Sequence, residues 1–407
     1  MQRLPKAAVL VAAALALAAC QHGEGSSVVP GVAIQNAAAT SAAAIPKPVL
    51  TSSPATNAQD VTPGTPLKLS VRSGSIVSVD AVGAPMADSV AAATGSRPLT
   101  LTGTYSKQGS VWVSETPSAP STSYTVKVRL LDNGGNPSTK TITYATQAAG
   151  HRLTLSITPG DKSTVGVGQP ISVFFDQPVT DKASVQRALT VKTSRPIGPA
   201  SWHWFSDKEV QFRPKSFWPG STTVTVTAAL NGVPAGADLW GGRDYSQTFT
   251  VGHSVISTVD GKTDMFTVTM DGKVIRTMPT STGKAGYETW TGTMITSEKE
   301  AVIRMNSATV NIFGPQAYNL LVHEAVRLTE SGTFVHAAPW DHALGQANTS
   351  HGCIHLSTTD ATWFFDLSKP GDPVIVSNTG GKQVSPTNGQ SSYNMSWTDW
   401  TNGSALK

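Results

Sequence analysis

The stretch Asn348-Thr349-Ser350-His351-Gly352-Cys353-Ile354-His355-Leu356-Ser357 sets a thiol between two imidazoles and beside a glycine, where the backbone can approach a ligand closely. The chain has two cysteines, and the other, Cys20, ends an apolar N-terminal segment that reads as an export signal. Cys353 therefore has no disulfide partner within the exported chain. An unpaired thiol outside the cytoplasm is open to oxidation, and three uses would explain keeping it: a buried small hydrophobe, a metal ligand, or a nucleophile. If the segment is extended, His351, Cys353 and His355 share one face by the two-residue repeat, and His336 lies 17 positions upstream of the thiol. Neutral imidazole and thiolate both ligate zinc, although His-x-Cys-x-His is not a common zinc spacing. In a Cys-His pair the imidazole takes the thiol proton and the thiolate attacks an acyl carbon. The amides of Gly352 and Cys353 would then face the developing oxyanion, each such donor contributing roughly 2.7–4 kcal/mol. On these residues alone the core, metal and nucleophile readings all stay open.

The N-terminus sets the compartment in which that thiol works. Arg3 and Lys6 precede an apolar run from Ala7 to Ala19, shorter than the about 20 residues of a spanning helix and suited to a signal sequence. Leu17-Ala18-Ala19-Cys20 resembles the bacterial lipoprotein processing box, in which cleavage precedes a cysteine that is then lipidated; an ordinary signal peptide cut nearby is the alternative. Several acyl chains anchor stably where one is marginal, so the expected location is the outer face of a cytoplasmic membrane, facing the cell wall. From Gln21 to about Pro63 the chain is rich in Ala, Ser, Thr, Pro, Gly and Val with no periodic apolar face, and it reads as a flexible tether. The net charge of +4 suits an anionic neighbourhood such as a cell wall or lipid headgroups as well as an ordinary solvated surface. No stripe of Lys and Arg with interleaved aromatics points to nucleic acid.

Beyond the tether the chain is mainly β. Leu67, Leu69 and Val71, then Tyr124, Val126, Val128 and Leu130 before the turn Asp132-Asn133-Gly134-Gly135, alternate as half-buried strands of a β-sandwich. A second set runs through Leu153, Leu155 and Ile157; Ile171, Val173 and Phe175; Val210 and Phe212; Val224 and Val226; and Phe249-Thr250-Val251. Neither set carries a His, Cys or carboxylate cluster, so both read as spacer or binding modules, with Trp202, Trp204 and Trp218 filling the second. In the third block Met265 to Met270 and Lys273 to Met278 flank Asp271-Gly272, a loop that favours a type I′ hairpin. One helix is expected after the cysteine segment, with Ser357 and Asp360 as a capping box and Lys369-Pro370-Gly371-Asp372-Pro373 as its stop. The expected divisions are a signal over 1–19, a tether over 20–63, sandwiches over 64–149 and 150–251, a catalytic domain over 252–378 and a C-terminal clamp over 379–407. Trp397 and Trp400, three apart, would share a helical face and pack back on the catalytic domain, a carbohydrate platform being the alternative. His323 and His342 read as surface residues.

Ser350-His351-Gly352-Cys353, preceded by His336-Ala337-Ala338-Pro339-Trp340, resembles the L,D-transpeptidase family, and specifically its multidomain actinobacterial lipoproteins with immunoglobulin-like modules ahead of the catalytic domain. The likeness extends over Thr277-Met278-Pro279, Trp363-Phe364, Gly371-Asp372 and Trp397-Thr398-Asp399-Trp400. It implies two immunoglobulin-like sandwiches and a β-rich catalytic domain with one or two short helices. It also implies that Cys353 attacks the bond between the third residue and D-Ala of a peptidoglycan stem peptide. An acceptor amine then resolves the acyl-enzyme into a 3→3 cross-link, with no metal and no nucleotide. Water or a protein amine as acceptor would instead give a carboxypeptidase or an anchoring enzyme, and a wall-binding scaffold without catalysis is the third alternative. By the same likeness His336 is the base and acid, His351 orients the thiol or lines the acyl pocket, and Tyr318, Ser331 and Gly332 form the substrate wall. Trp340 and Met305 belong to a lid, and carbapenem-class β-lactams acylate the thiol.

Three positions depart from the pattern. Ala337 stands where the resembling enzymes carry a Ser that orients the base, so a backbone carbonyl or another group must hold the imidazole tautomer. His355 stands where they carry Asn or Arg to contact substrate, which makes that contact pH-dependent. Val310 replaces a lid Tyr.

Overall fold

The computed structural model describes residues 44–86, 99–106 and 108–407; Cys20, the expected signal and residues 20–43 of the expected tether lie outside the described residues. Three apolar cores follow one another along the chain. In the first, the strand Thr122–Asp132 buries every second side chain, with Tyr124, Val126, Val128 and Leu130 fully covered, as the alternation requires. Its five-stranded sheet faces a four-stranded one that begins with Val49–Ser53, paired antiparallel with Lys68–Arg72. This corrects the tether boundary: Val49–Ser53 and Ala58–Val61 are strands of the first sandwich. Their alternation is short and polar, and they gain order by pairing rather than by their own composition.

The second sandwich stacks two four-stranded sheets around Trp202, Trp204 and Trp218, all buried. A short helix, Lys182–Ala188, capped by Asp181 on the Ser184 amide, was not legible in the apolar pattern. The C-terminal domain has a five-stranded sheet built on Val255–Asp260 and Pro373–Ser377, and a four-stranded sheet in the order Lys299–Asn306, Asn319–Arg327, Phe334–Ala337, Ile354–Leu356. The hairpin Met265–Met270 to Lys273–Pro279 turns at Asp271 and Gly272, both with positive φ as the I′ turn demands. The helix Thr358–Leu367 drives Phe364 edge-on into Phe266 and so joins the core. Ser357 caps it by accepting from the Asp360 amide, but the expected box is only half made. The Asp360 carboxylate accepts from the Ser357 hydroxyl and pairs with Arg276, which lies over Trp363. A cation on the neighbouring strand competes successfully for that carboxylate.

The C-terminal segment departs from expectation in its target. Trp397 and Trp400 do share a face of the helix Trp397–Asn402, but Trp400 is fully buried against the second sandwich, not the catalytic core. Its indole N–H donates to the Ser201 carbonyl at 3.0 Å and its ring stacks on His203. Arg213 of the sandwich, itself buried, lies 4.2 Å from the Trp400 ring and 4.5 Å from Tyr393, and donates to the carbonyls of Ser392 and Met395. Upstream, Asn394 bonds both the amide and the carbonyl of Thr293 in the C-terminal domain. The segment thus spans the two domains.

Candidate active site

Strands Phe334–Ala337 and Ile354–Leu356 run parallel with His336 directly across from His355. The strand begins only at Ile354, because the chain bends through His351, Gly352 and Cys353, with Gly352 at φ 115°. The two-residue repeat is therefore broken before Ile354, yet His351, Cys353 and His355 still line one cavity of about 580 Å3 with His336, Tyr318, Met305, Trp340, Asp341 and His342. Flanking chain pins the bend: the Ser350 hydroxyl donates to the Cys353 carbonyl, and Ser350 pairs with residue Gly283 of the adjoining loop.

The Cys353 sulfur points at the Gly332 carbonyl, 3.6 Å away. Burial pushes the thiol up to about 11, against the opposing pull of the Phe334 amide. Burial and the neighbouring His355 together drive His336 down to about 3, outweighing the Ala337 carbonyl. That carbonyl lies 2.9 Å from His336 Nδ1; since it can only accept, Nδ1 carries the proton and Nε2 is left as the basic nitrogen. The backbone thus supplies the support that Ala337 lacks a side chain to give. The resting cavity thus holds a neutral thiol and a neutral imidazole.

Of the two amides expected at an oxyanion site, that of Gly352 donates to the Ser350 hydroxyl at 3.0 Å. It is engaged within the tight turn, and only the Cys353 amide lacks an acceptor among the described residues. His351 sits apart from the thiol chemistry, between Tyr287 and Tyr318, and donates through Nε2 to Gln316 at 3.0 Å. Lys284 donates to the same amide oxygen at 2.6 Å, which fixes its identity, because an ammonium cannot accept. Gln316 lies in the short turn Gly314–Gln316 between the strands Lys299–Asn306 and Asn319–Arg327, so this contact ties their connection to the cysteine segment.

Ser331 and Gly332 line a second cavity of about 560 Å3 that shares Met305 and Tyr318 with the first, with Val310 over Gly332. The Ser331 side chain is held by Thr329 and by Asn388 of the C-terminal segment, so it braces a wall rather than facing the sulfur. Trp340 is 43% exposed at the rim, and His342 and His323 are surface residues as expected, His342 at the cavity edge.

His355 is more deeply engaged than a substrate contact. Its ring stands edge-on to His336 at 4.8 Å, and its Nδ1–H donates to Asp341 at 2.7 Å. Burial lowers His355 despite the carboxylate. Burial raises Asp341, but bonds from Thr349, His355 and the Ala343 amide outweigh it and hold the carboxyl below its usual range. Gln316 and Asp341 were not found from the sequence; no periodicity marks them, and the only signal was an acid within the His336-to-Cys353 span of a chain with 26 acidic residues in 407. Among the described residues no group of three or more His, Cys, Asp or Glu is placed to hold a metal.

Two family profiles match this chain: a bacterial Ig domain over residues 58–234 and the L,D-transpeptidase catalytic domain over residues 254–376. L,D-transpeptidase 2 of Mycobacterium tuberculosis is 32% identical over 405 residues, which is 98% of this chain and 94% of the relative. L,D-transpeptidase 5 of the same species is 31% identical over 373 residues, covering 89% of this chain and 78% of the relative. A solved L,D-transpeptidase from Mycobacterium smegmatis is 35% identical and covers 55% of this chain and 99% of that one, with a TM-score of 0.47.

Proposed function

Because the chain belongs to the L,D-transpeptidase family, we propose that it cross-links peptidoglycan stem peptides 3→3 through an acyl-enzyme on Cys353. His336 Nε2 takes the thiol proton as the sulfur attacks the carbonyl of the donor's third residue. The C–S bond forms, the C–N bond to D-Ala breaks, and the His336 imidazolium returns its proton to the departing amine. An amine on the third residue of an acceptor stem then displaces the sulfur. The observation that carries this reading is one cavity lined by a thiol, by a buried imidazole whose Nε2 is left as the basic nitrogen by the Ala337 carbonyl, and by Cys353, whose amide has no acceptor among the described residues. Met305, Tyr318 and Trp340 give the cavity apolar faces for an extended peptide, while Ser331 and Gly332 shape its far side.

Location and inhibition belong to the same proposal. The sequence of residues 1–20 supports export and lipidation of Cys20, with the tether and sandwiches spanning from membrane to wall. A strained β-lactam carbonyl of the carbapenem class meets the same nucleophile and is expected to acylate it. Intact-mass analysis of the purified chain with a tetrapeptide donor, with and without acceptor, tests the reading. Wild type should gain the acyl mass at Cys353 and yield the 3→3 dimer, and Cys353→Ala should lose turnover by on the order of 10⁴-fold or more. Hydrolysed tripeptide as the main product would make water the acceptor, and no adduct from donor or carbapenem at neutral pH would overturn the mechanism.

A further inference from the structure

We infer that His355, held by Asp341, is a second acid–base group of this site, which deprotonates the acceptor amine while His336 serves the thiol; this rests on the acyl-enzyme reading. His355 lines the same cavity as Cys353 and stands directly across the parallel strand pair from His336. Its Nδ1–H is fixed on Asp341 Oδ2 at 2.7 Å, and the side-chain exposures of the pair are 10% and 3%. Among the described residues no protein group bonds its Nε2, and that nitrogen is not among the buried polar atoms left without a partner. The free nitrogen therefore has the cavity as its outlet.

This is the arrangement an imidazole base requires: one nitrogen oriented by a carboxylate that can stabilise the imidazolium, the other open to substrate. Asp341 is itself fixed from two other sides, by the Thr349 hydroxyl at 2.6 Å and the Ala343 amide at 3.0 Å. The same Asp341 oxygen thus links His355 to the cysteine loop. His336 is poorly suited to a second role, since its Nδ1 is supported by a neutral carbonyl and it must reprotonate the sulfur.

In the second half-reaction the acceptor arrives as an ammonium with three protons. One passes to His355 Nε2, forming an imidazolium paired with Asp341. The freed amine attacks the thioester carbonyl, the C–N bond forms and the C–S bond breaks. A second proton leaves the nitrogen and reaches the Cys353 thiolate through His336, the third stays on the new amide, and His355 releases its proton to solvent. His355 is the catalytic residue of this step and Asp341 a positioning residue acting through it.

The two half-reactions separate in a single-turnover experiment on the full chain. D-Ala release from a tetrapeptide donor alone reports acylation, and decay of the acyl-enzyme after adding acceptor reports aminolysis. His355→Asn should slow aminolysis about 10²-fold more than it slows acylation. Neutral His355 is the active form, so the wild-type aminolysis rate rises with pH. The titratable groups that share its cavity are Asp341, His336, His342, His351, Tyr318 and Cys353, and Lys284 bears on His351. Asp341→Asn removes the anion that favours the imidazolium, so the rising limb should move to lower pH and the plateau should drop. Equal slowing of both half-reactions, unaltered aminolysis, or a limb that stays in place in Asp341→Asn would overturn the inference. Failure of the wild type to form any acyl-enzyme would instead overturn the acyl-enzyme reading itself.

Discussion

Cys353 and His336 line one cavity, but neither is charged for the reaction. With the thiol pushed up to about 11 by burial and the imidazole down to about 3 by burial and the neighbouring His355, proton transfer between them is uphill in the resting site. A cysteine ionised in advance by an imidazolium would react over a broad pH range, whereas this one should wait for a substrate to shift the balance. Alkylation of the free chain by iodoacetamide should therefore rise about tenfold per pH unit from 7 to 9 without levelling. A plateau between pH 5 and 7 would mean that an ion pair exists. The role of Ala337 was legible only as a gap: the sequence required some group to hold the imidazole, and the residue's own carbonyl does so. His355 shows the opposite case. Its position in the motif marked it as a contact, but its bond to Asp341 depends on a turn that brings residue 341 back beneath residue 355.

At the scale of elements, the joint between the second sandwich and the catalytic domain is backbone against backbone. Gly166 and Gly168 donate to the carbonyls of Pro370 and Gly371, and a Cβ at Gly166 would collide with the Asp372 backbone. Asp372 is sealed into this joint, and burial lifts its carboxyl to about 7 against the charges of Lys369 and Lys299. A carboxyl raised in the folded state holds its proton more tightly there than in the unfolded chain. Its contribution is complete below about pH 4 and is lost as the pH rises through about 7, on the order of 4 kcal/mol between those limits. Asp372→Asn keeps an acceptor for the Lys369 amide and carries no charge. Thermal melts should show the variant more stable than wild type at pH 8 and level with it near pH 4; a wild-type melting curve unchanged between pH 4 and 8 would contradict this. Strands and the I′ turn of this domain were readable because period and turn chemistry are local. The joint was not, because Gly166 and Asp372 are 206 positions apart.

For the whole molecule, the buried Arg213 is the centre on which the segment of Ser392 to Trp400 gathers. Burial works against its charge, and among the described residues it has no acidic partner; the faces of Trp400, Tyr393 and Trp397 and the carbonyls of Ser392 and Met395 receive it instead. Arg213→Ala should free the C-terminal segment at a cost of about 3 kcal/mol, from lost cation–π contact and orphaned carbonyls. Limited proteolysis should then cut within residues 379–407 while the second sandwich stays resistant, and Arg213→Lys should not restore protection, since an ammonium lacks the planar fork. Wild-type resistance in Arg213→Ala would show the clamp to be held elsewhere, as at Trp400 Nε1 and Ser201.

The placing of an Ig module ahead of the catalytic domain, the alternating strands, the I′ turn and the helix cap at Ser357 are properties of neighbouring residues and of motifs, and these the sequence determined by itself. Strands Val49–Ser53 and Ala58–Val61 escaped it because their order is borrowed from partner strands. The Asp341–His355 pair, the Gln316 contact, the capture of the Gly352 amide and the docking of Trp400 on Arg213 were decided only by tertiary structure. Each depends on which polar group lies nearest once burial has removed water as a competing partner, and that neighbour is set by chain crossings that no local spacing records.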